Sequence, residues 1–256
     1  MDEPKLSVED QGGGSPALVF LHYFAGSSRS WRHVVDQAAN AGRCVRLDVP
    51  GFGGSPPLTA YSVHDVAQAI GAAIAPMRLQ SYVLLGHSMG GKLALAMALA
   101  RPPGLAGLVL VAPSPPSPEP MDERERSRLL TSHGDRASAE RTLQTITRRP
   151  LPADDVAACI ADNLRTSPEG WRWWLEGGSR EDITAEVKEI AYPVLVLGGS
   201  DDPVIPPRVI AAQVMSVLPN AQRQEIPGAG HLLPLEAAQE VGLAIGAFAA
   251  SLRDGG

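Results

Sequence analysis

The 256-residue chain is short of cysteine, of net positive charge and of long apolar runs, and each shortage excludes a class of protein. Its two cysteines, Cys44 and Cys159, lie far apart and have no metal-like spacing. They read as two buried thiols rather than a disulfide framework. There is no H-E-x-x-H and no C-x-x-C, and the six histidines are scattered, so neither a metal nor another cofactor is expected. The formal net charge is −6, which offers no basic field to nucleic acid or to an anionic membrane. The longest apolar run, Leu93 to Ala100, falls far below the ~20 residues that span a bilayer. The first ten residues, MDEPKLSVED, are acidic and lack a charged-then-apolar leader pattern, so a cytoplasmic protein is expected.

Short β-branched apolar runs alternate with helical patterns. That is the signature of an α/β protein with a doubly wound, mostly parallel sheet covered on both faces. Strands are expected at Ala17–Leu21, Cys44–Val49, Tyr82–Leu85, Gly107–Val111, Pro193–Leu197 and Gln222–Ile226. Helices are expected at Trp31–Ala41, Val63–Met77, Lys92–Ala100, Val209–Leu218 and Leu235–Leu252, with a frayed end from Arg253 to Gly256. In the second of these, Val66, Ile70 and Ile74 recur at i, i+4 and i+8 and mark one face. At Pro113-Ser114-Pro115-Pro116-Ser117-Pro118-Glu119-Pro120 the pattern breaks, because this stretch can neither continue a central strand nor sit inside a helix. The residues that follow are polar and helical and hold three of the four tryptophans. Residues 114–190 are therefore expected to form a helical cap inserted into a core of residues 1–113 and 191–256. The run Glu123-Arg124-Glu125-Arg126 reads as a solvated helix face.

Chemistry concentrates in Gly86-His87-Ser88-Met89-Gly90-Gly91, a G-x-S-x-G pattern with a strand before it and a helix after it. This context makes a nucleophile elbow, in which Ser88 takes strained backbone angles and its flanking glycines let strand and helix approach. A serine hydroxyl needs a base, and the base needs an orienting acid. His231, in Pro227-Gly228-Ala229-Gly230-His231 after the last strand, suits the base. Asp201 and Asp202, in the turn after the strand at 193–197, are both candidates for the acid, and adjacent side chains point apart, so one of them faces His231. Donors for an oxyanion are expected from the Met89 N–H, at the helix start, and from the Phe24 N–H, in the loop after the first strand.

Taken in order, His22-Tyr23-Phe24-Ala25-Gly26-Ser27-Ser28, Asp48-Val49-Pro50-Gly51-Phe52-Gly53-Gly54-Ser55, the elbow, the acid loop and the histidine loop resemble the α/β-hydrolase superfamily, in particular its serine-esterase-like members with a helical cap. The resemblance covers almost the whole chain. It implies an eight-stranded, mostly parallel sheet with a short first strand, and Asp202 as the acid, since the family's G-x-x-D followed by proline fits Gly199-Ser200-Asp201-Asp202-Pro203. It implies that His22 orients the oxyanion loop and that Asp48 holds the Pro-Gly-Phe-Gly-Gly-Ser turn. By alternation, His87 next to the serine is not expected to reach its hydroxyl. Tyr23 stands where the family usually has glycine, and either packs under the cap or lines the acyl pocket. Trp171, Trp173 and Trp174 are candidates for cap core or for a substrate wall. Ser88 in place of aspartate disfavours epoxide hydrolase and haloalkane dehalogenase activity.

The expected function is hydrolysis of an ester, lactone or thioester of a small, partly apolar molecule through an acyl-enzyme. Cofactor-free perhydrolase or haloperoxidase-like chemistry and carbon–carbon bond hydrolysis are alternatives on the same machinery. A non-catalytic small-molecule receptor is the alternative outside enzymology.

Overall fold

A computed structural model describes residues 5–38 and 42–254. The strands are β1 (Val8–Gln11), β2 (Ala17–Leu21), β3 (Cys44–Leu47), β4 (Tyr82–His87), β5 (Leu105–Val111), β6 (Val194–Gly199) and β7 (Ala221–Ile226). They form one sheet in the order β1-β3-β2-β4-β5-β6-β7. β1 runs antiparallel to β3 and every other pairing is parallel. The sheet among the described residues thus has seven strands where eight were expected. Only residues 5–7 are described ahead of β1, too few for another strand.

β2, β4 and β6 are buried at every position, which requires apolar residues on both faces of the sheet. Alternation divides them. Val19 and Leu21 pack with α2 (Val63–Ile74) and α3 (Met89–Leu99), whereas Leu18 and Phe20 pack with α1 (Arg32–Ala38) and the long carboxy-terminal helix. A 3₁₀ turn, Ser28–Trp31, precedes α1, so the helix expected from Trp31 starts one residue later. Positions 39–41 of that expected helix, and Gly255 and Gly256 of the expected frayed end, lie outside the described residues. The two free cysteines are both buried.

Five helices lie between β5 and β6: α4 (Glu123–Thr131), α5 (Arg136–Ile146), α6 (Ala153–Arg165), α7 (Pro168–Trp173), which runs on as a π turn through Gly178, and α8 (Thr184–Val187). Asp122, Asp135 and Ser167 each accept a backbone N–H from the first turn of α4, α5 and α7. After β6 come α9 (Pro207–Val209), continued by a π turn over Ile210–Met215, then α10 (Leu233–Glu236) and α11 (Ala238–Asp254). Arg253 and Asp254, expected to be frayed, are helical.

One expectation on α4 is corrected. Glu123 is exposed, but Arg126 is buried, and its guanidinium donates to the Leu175 carbonyl and to Ser179 Oγ. A mixed-charge run with one member at the i+3 position can turn that member inward while the rest stays wet. From α3, Lys92 Nζ donates to the carbonyls of Ser117, Gly178 and Glu181, joining the elbow helix to both ends of the inserted segment.

Candidate active site

Ser88 sits between the end of β4 and the start of α3 with φ 53° and ψ −116°, a conformation that costs a non-glycine residue free energy. The surroundings enforce it. Its N–H donates to the Val111 carbonyl at 3.0 Å. A Cβ on Gly86 would stand 2.2 Å from the Gly90 carbonyl oxygen, and one on Gly90 2.5 Å from that of Leu21. Only glycine at both positions lets strand and helix come this close.

Ser88 Oγ lies 2.9 Å from His231 Nε2, and His231 Nδ1 lies 2.8 Å from Asp202 Oδ2. The other carboxylate oxygen, Asp202 Oδ1, accepts the N–H groups of Val204 at 2.8 Å and Ile205 at 3.0 Å. Both faces of the carboxylate are therefore fixed, and the imidazole is held with its hydrogen on Nδ1 and a lone pair towards the serine. Burial works against charge on His231, but the charge and hydrogen bond of Asp202 outweigh it and its pKa is raised. Burial likewise opposes ionisation of Asp202, and His231 with the two amides reverses that, so its pKa is lowered. Asp201 is exposed, and among the described residues its carboxylate accepts only from Ser200 Oγ, at 3.1 Å.

Two buried groups hold the histidine loop through its backbone. His87 Nε2 donates to the His231 carbonyl at 2.8 Å. Burial, then the nearby His231, pushes the His87 pKa down to about 3, so this ring is neutral. Glu236, at the end of α10, accepts four backbone N–H groups: those of Gly230 and Leu232 on either side of the histidine, and those of Arg148 and Arg149 just after α5.

The loop after β2 carries Phe24, from whose N–H an oxyanion donor is expected. His22 Nε2 accepts the Val49 N–H at 3.0 Å, which leaves the hydrogen on Nδ1, and this donates to the Tyr23 carbonyl at 2.7 Å. Burial lowers the His22 pKa and keeps this single-hydrogen form. The Tyr23 carbonyl and the Phe24 N–H belong to one planar peptide unit and point in opposite directions, so anchoring the first aims the second. Neither the Phe24 N–H nor the Met89 N–H meets an acceptor among the described residues. Asp48 braces the same loop by accepting the N–H groups of Ser28 and Gly54, each at 2.7 Å. Asp162 of α6 ties it to the insertion by accepting from Ser27 Oγ at 2.6 Å and from Arg29.

Ser88 and His231 open onto a cavity of about 370 Å³. Phe24, Trp171 and Trp174 form part of its wall, with the Trp171 and Phe24 rings 4.8 Å apart. Tyr23 is buried in a cluster with Leu143, Cys159 and Ile160 of the insertion, and it also forms part of the cavity wall. Trp173 does not join the wall. It stacks on Tyr61 at 5.2 Å and belongs to the core beneath the insertion, because neighbouring positions on one helical turn face different ways.

A family model described as "alpha/beta hydrolase fold" matches residues 16–238. The chain belongs to the alpha/beta-hydrolase family. This hydrolase-fold enzyme is 29% identical to a Bacillus subtilis (strain 168) protein named "Putative 2-succinyl-6-hydroxy-2,4-cyclohexadiene-1-carboxylate synthase", over 98% of this chain and 97% of that one. It is 28% identical to a Mycobacterium tuberculosis (strain ATCC 25618 / H37Rv) protein named "Putative non-heme bromoperoxidase BpoC", over 97% and 98% of the two chains. In fold it resembles an esterase from Exiguobacterium antarcticum, with a TM-score of 0.89, 21% identity and 96% of each chain covered. Lys92, Glu119, Asp155, Asp162 and Glu236 are among the alpha/beta-hydrolase's buried charged residues that sequence reasoning did not single out. The only signal any of them gave was a glutamate set among prolines.

Proposed function

We propose that the protein is a serine hydrolase that cleaves a carboxylic ester, lactone or thioester through an acyl-enzyme. The observation that carries this reading is the unbroken chain of contacts from Ser88 Oγ through His231 to Asp202, on the wall of a mostly apolar cavity. In this mechanism His231 Nε2 takes the Ser88 proton as Oγ attacks the carbonyl carbon. Asp202 holds the imidazole in the required tautomer and stabilises the imidazolium. The Phe24 and Met89 N–H groups receive the oxyanion, and Met89 adds the positive end of α3. His231 then protonates the leaving alcohol or thiol. In the second half it takes a proton from water, which attacks the acyl carbon and returns Ser88 as the free hydroxyl.

The wall also bears on substrate class. Among the described residues it includes no lysine or arginine, while Glu119, Asp122 and Glu125 all contribute to it. Such a cavity favours a substrate without a carboxylate, which argues against the carboxylate chemistry named for the Bacillus subtilis relative.

Turnover of p-nitrophenyl esters of increasing acyl length and of simple lactones, with fluorophosphonate labelling of Ser88, tests the proposal. Labelling and turnover that both vanish in Ser88→Ala are expected. Labelling without turnover of any ester, lactone or thioester would overturn it in favour of a receptor. A second reading has support in the bromoperoxidase-named relative, which aligns over 97% of this chain. Peroxide in place of water at the acyl-enzyme would yield a peracid, and peroxide-dependent halogenation in acetate buffer distinguishes that activity.

A further inference from the structure

The cavity wall holds one buried carboxyl group that the hydrolytic mechanism does not use. Glu119, on the proline-rich segment leaving β5, lines the cavity and is only 8% exposed. Its Oε2 accepts from Ser114 Oγ at 2.7 Å, and Ser114 is strapped to the elbow by its N–H to the Ser88 carbonyl at 3.0 Å. Among the described residues no donor reaches Oε1, and no lysine, arginine or histidine forms an ion pair with Glu119. Lys92 feels its charge, but the Lys92 ammonium is committed to three backbone carbonyls. The other acids on the wall are exposed and occupied: Asp122 caps α4, and Glu125 takes a two-pronged bond from Arg128. With Oε2 held by Ser114, Oε1 is open to a donor from a molecule in the cavity, and a hydrogen bond from a charged donor there is stronger than a neutral one. The same wall offers the aromatic faces of Phe24, Trp171 and Trp174, which suit alkylated cations.

We propose that Glu119 is a specificity-determining residue that selects esters carrying a protonated amine, whose N–H donates to Oε1 while the ester carbonyl sits at Ser88. The assignment rests on the serine-hydrolase reading above and names the substrate class for that site. It gives Oε1 of the buried carboxyl a partner, and it accounts for an acidic, aromatic wall on which no lysine or arginine is found among the described residues.

A matched pair of esters provides the test: 2-(dimethylamino)ethyl acetate, protonated at pH 7, and its neutral isostere 3-methylbutyl acetate, each followed by acid release. Wild type is expected to prefer the amine ester in kcat/KM by on the order of tenfold, the range of a charge-assisted hydrogen bond. In Glu119→Gln the ratio between the two esters is expected to fall close to one, whatever happens to the absolute rates. A wild-type ratio of one or less overturns the proposal without any variant, as does a ratio that is the same in both proteins. Calorimetric binding of the amine ester to Ser88→Ala, with and without Glu119→Gln, separates this inference from the one beneath it. If wild type hydrolyses neither ester but binding still weakens about tenfold without Glu119, the hydrolase reading fails and the amine site stands. If both esters are hydrolysed and neither rate nor binding favours the amine, the amine site fails and the hydrolase reading stands.

Discussion

Glu236 braces His231 from both sides: its carboxylate accepts the N–H groups of Gly230 and Leu232, the residues flanking the histidine, at 3.0 and 2.9 Å. The same carboxylate accepts from Arg148 and Arg149, so the loop that presents the imidazole is tied to the inserted helices through one side chain. In Glu236→Gln the amide NH₂ group faces backbone N–H groups instead of accepting from them. We expect kcat for a neutral ester to fall about 10- to 100-fold with KM changed by less than about threefold, and stability to fall by about 1–3 kcal/mol. Steady-state kinetics together with urea unfolding measure both. An unchanged kcat at reduced stability would make Glu236 a purely structural residue.

The adjacent aspartates give a sharper comparison. Asp202→Asn keeps the shape but favours the wrong imidazole tautomer, and kcat should drop about 10⁴-fold, near the 10⁴–10⁶-fold expected for Ser88→Ala. Exposed Asp201, changed to Asn, should stay within about twofold of wild type. Assays of the three variants on one activated ester decide the assignment, and a reversed order for the two aspartates would refute it.

Activity should depend on pH in a set direction. Burial disfavours the His231 imidazolium, but Asp202 prevails and holds its pKa above the ordinary 6.5. A general base must be neutral, so kcat/KM is lost as pH falls, with a midpoint above 6.5. The stability linkage has the opposite sign. A group whose pKa is raised on folding contributes stability that is fully present below its unfolded value and lost as pH rises through its folded value. Asp202, lowered on folding, contributes stability above its unfolded value that is lost in acid. A pH–rate profile read beside urea titrations checks both signs, and Asp202→Asn should move the acid midpoint downward.

Lys92 should prove structural rather than chemical. Burial brings its pKa down to about 8, with Glu119 and Glu181 partly opposing that shift. Lys92→Met fits the space but leaves three carbonyls without their donor. Stability should fall by about 2–4 kcal/mol, while the Ser88-to-His231 contact has no direct stake in the change. Thermal unfolding and burst labelling by a fluorophosphonate report on each separately.

Where the sequence was informative, geometry explains why. β2, β4, β5 and β6 are apolar because parallel strands covered on both faces can be nothing else, and the elbow glycines are required by contacts of 2.2 and 2.5 Å. β1, Val-Glu-Asp-Gln, is a mostly exposed edge strand held by pairing to β3, so it left no hydrophobic period to read. Ser88, His231 and the pair Asp201-Asp202 were visible because each follows its own strand in a fixed order, and only the family's G-x-x-D pattern ahead of proline pointed to Asp202 within the pair. Glu236 and Lys92 were not, since a buried charge in a helix looks like any surface charge until its backbone partners, from segments remote in sequence, are placed around it. Trp173 and Trp174 differ by one position and face different ways, a distinction that composition does not carry.

The three carbonyls held by Lys92 come from Ser117, near where the inserted segment leaves the sheet, and from Gly178 and Glu181, near where it returns. One side chain of the elbow helix therefore cinches the neck of the insertion. With the neck closed, the cost of lengthening or shortening what lies between grows only as the logarithm of its length. The roof over the serine is thus a replaceable part. Other helices could be grafted between those two anchor points, giving the cavity a new shape while the machinery below stays in register.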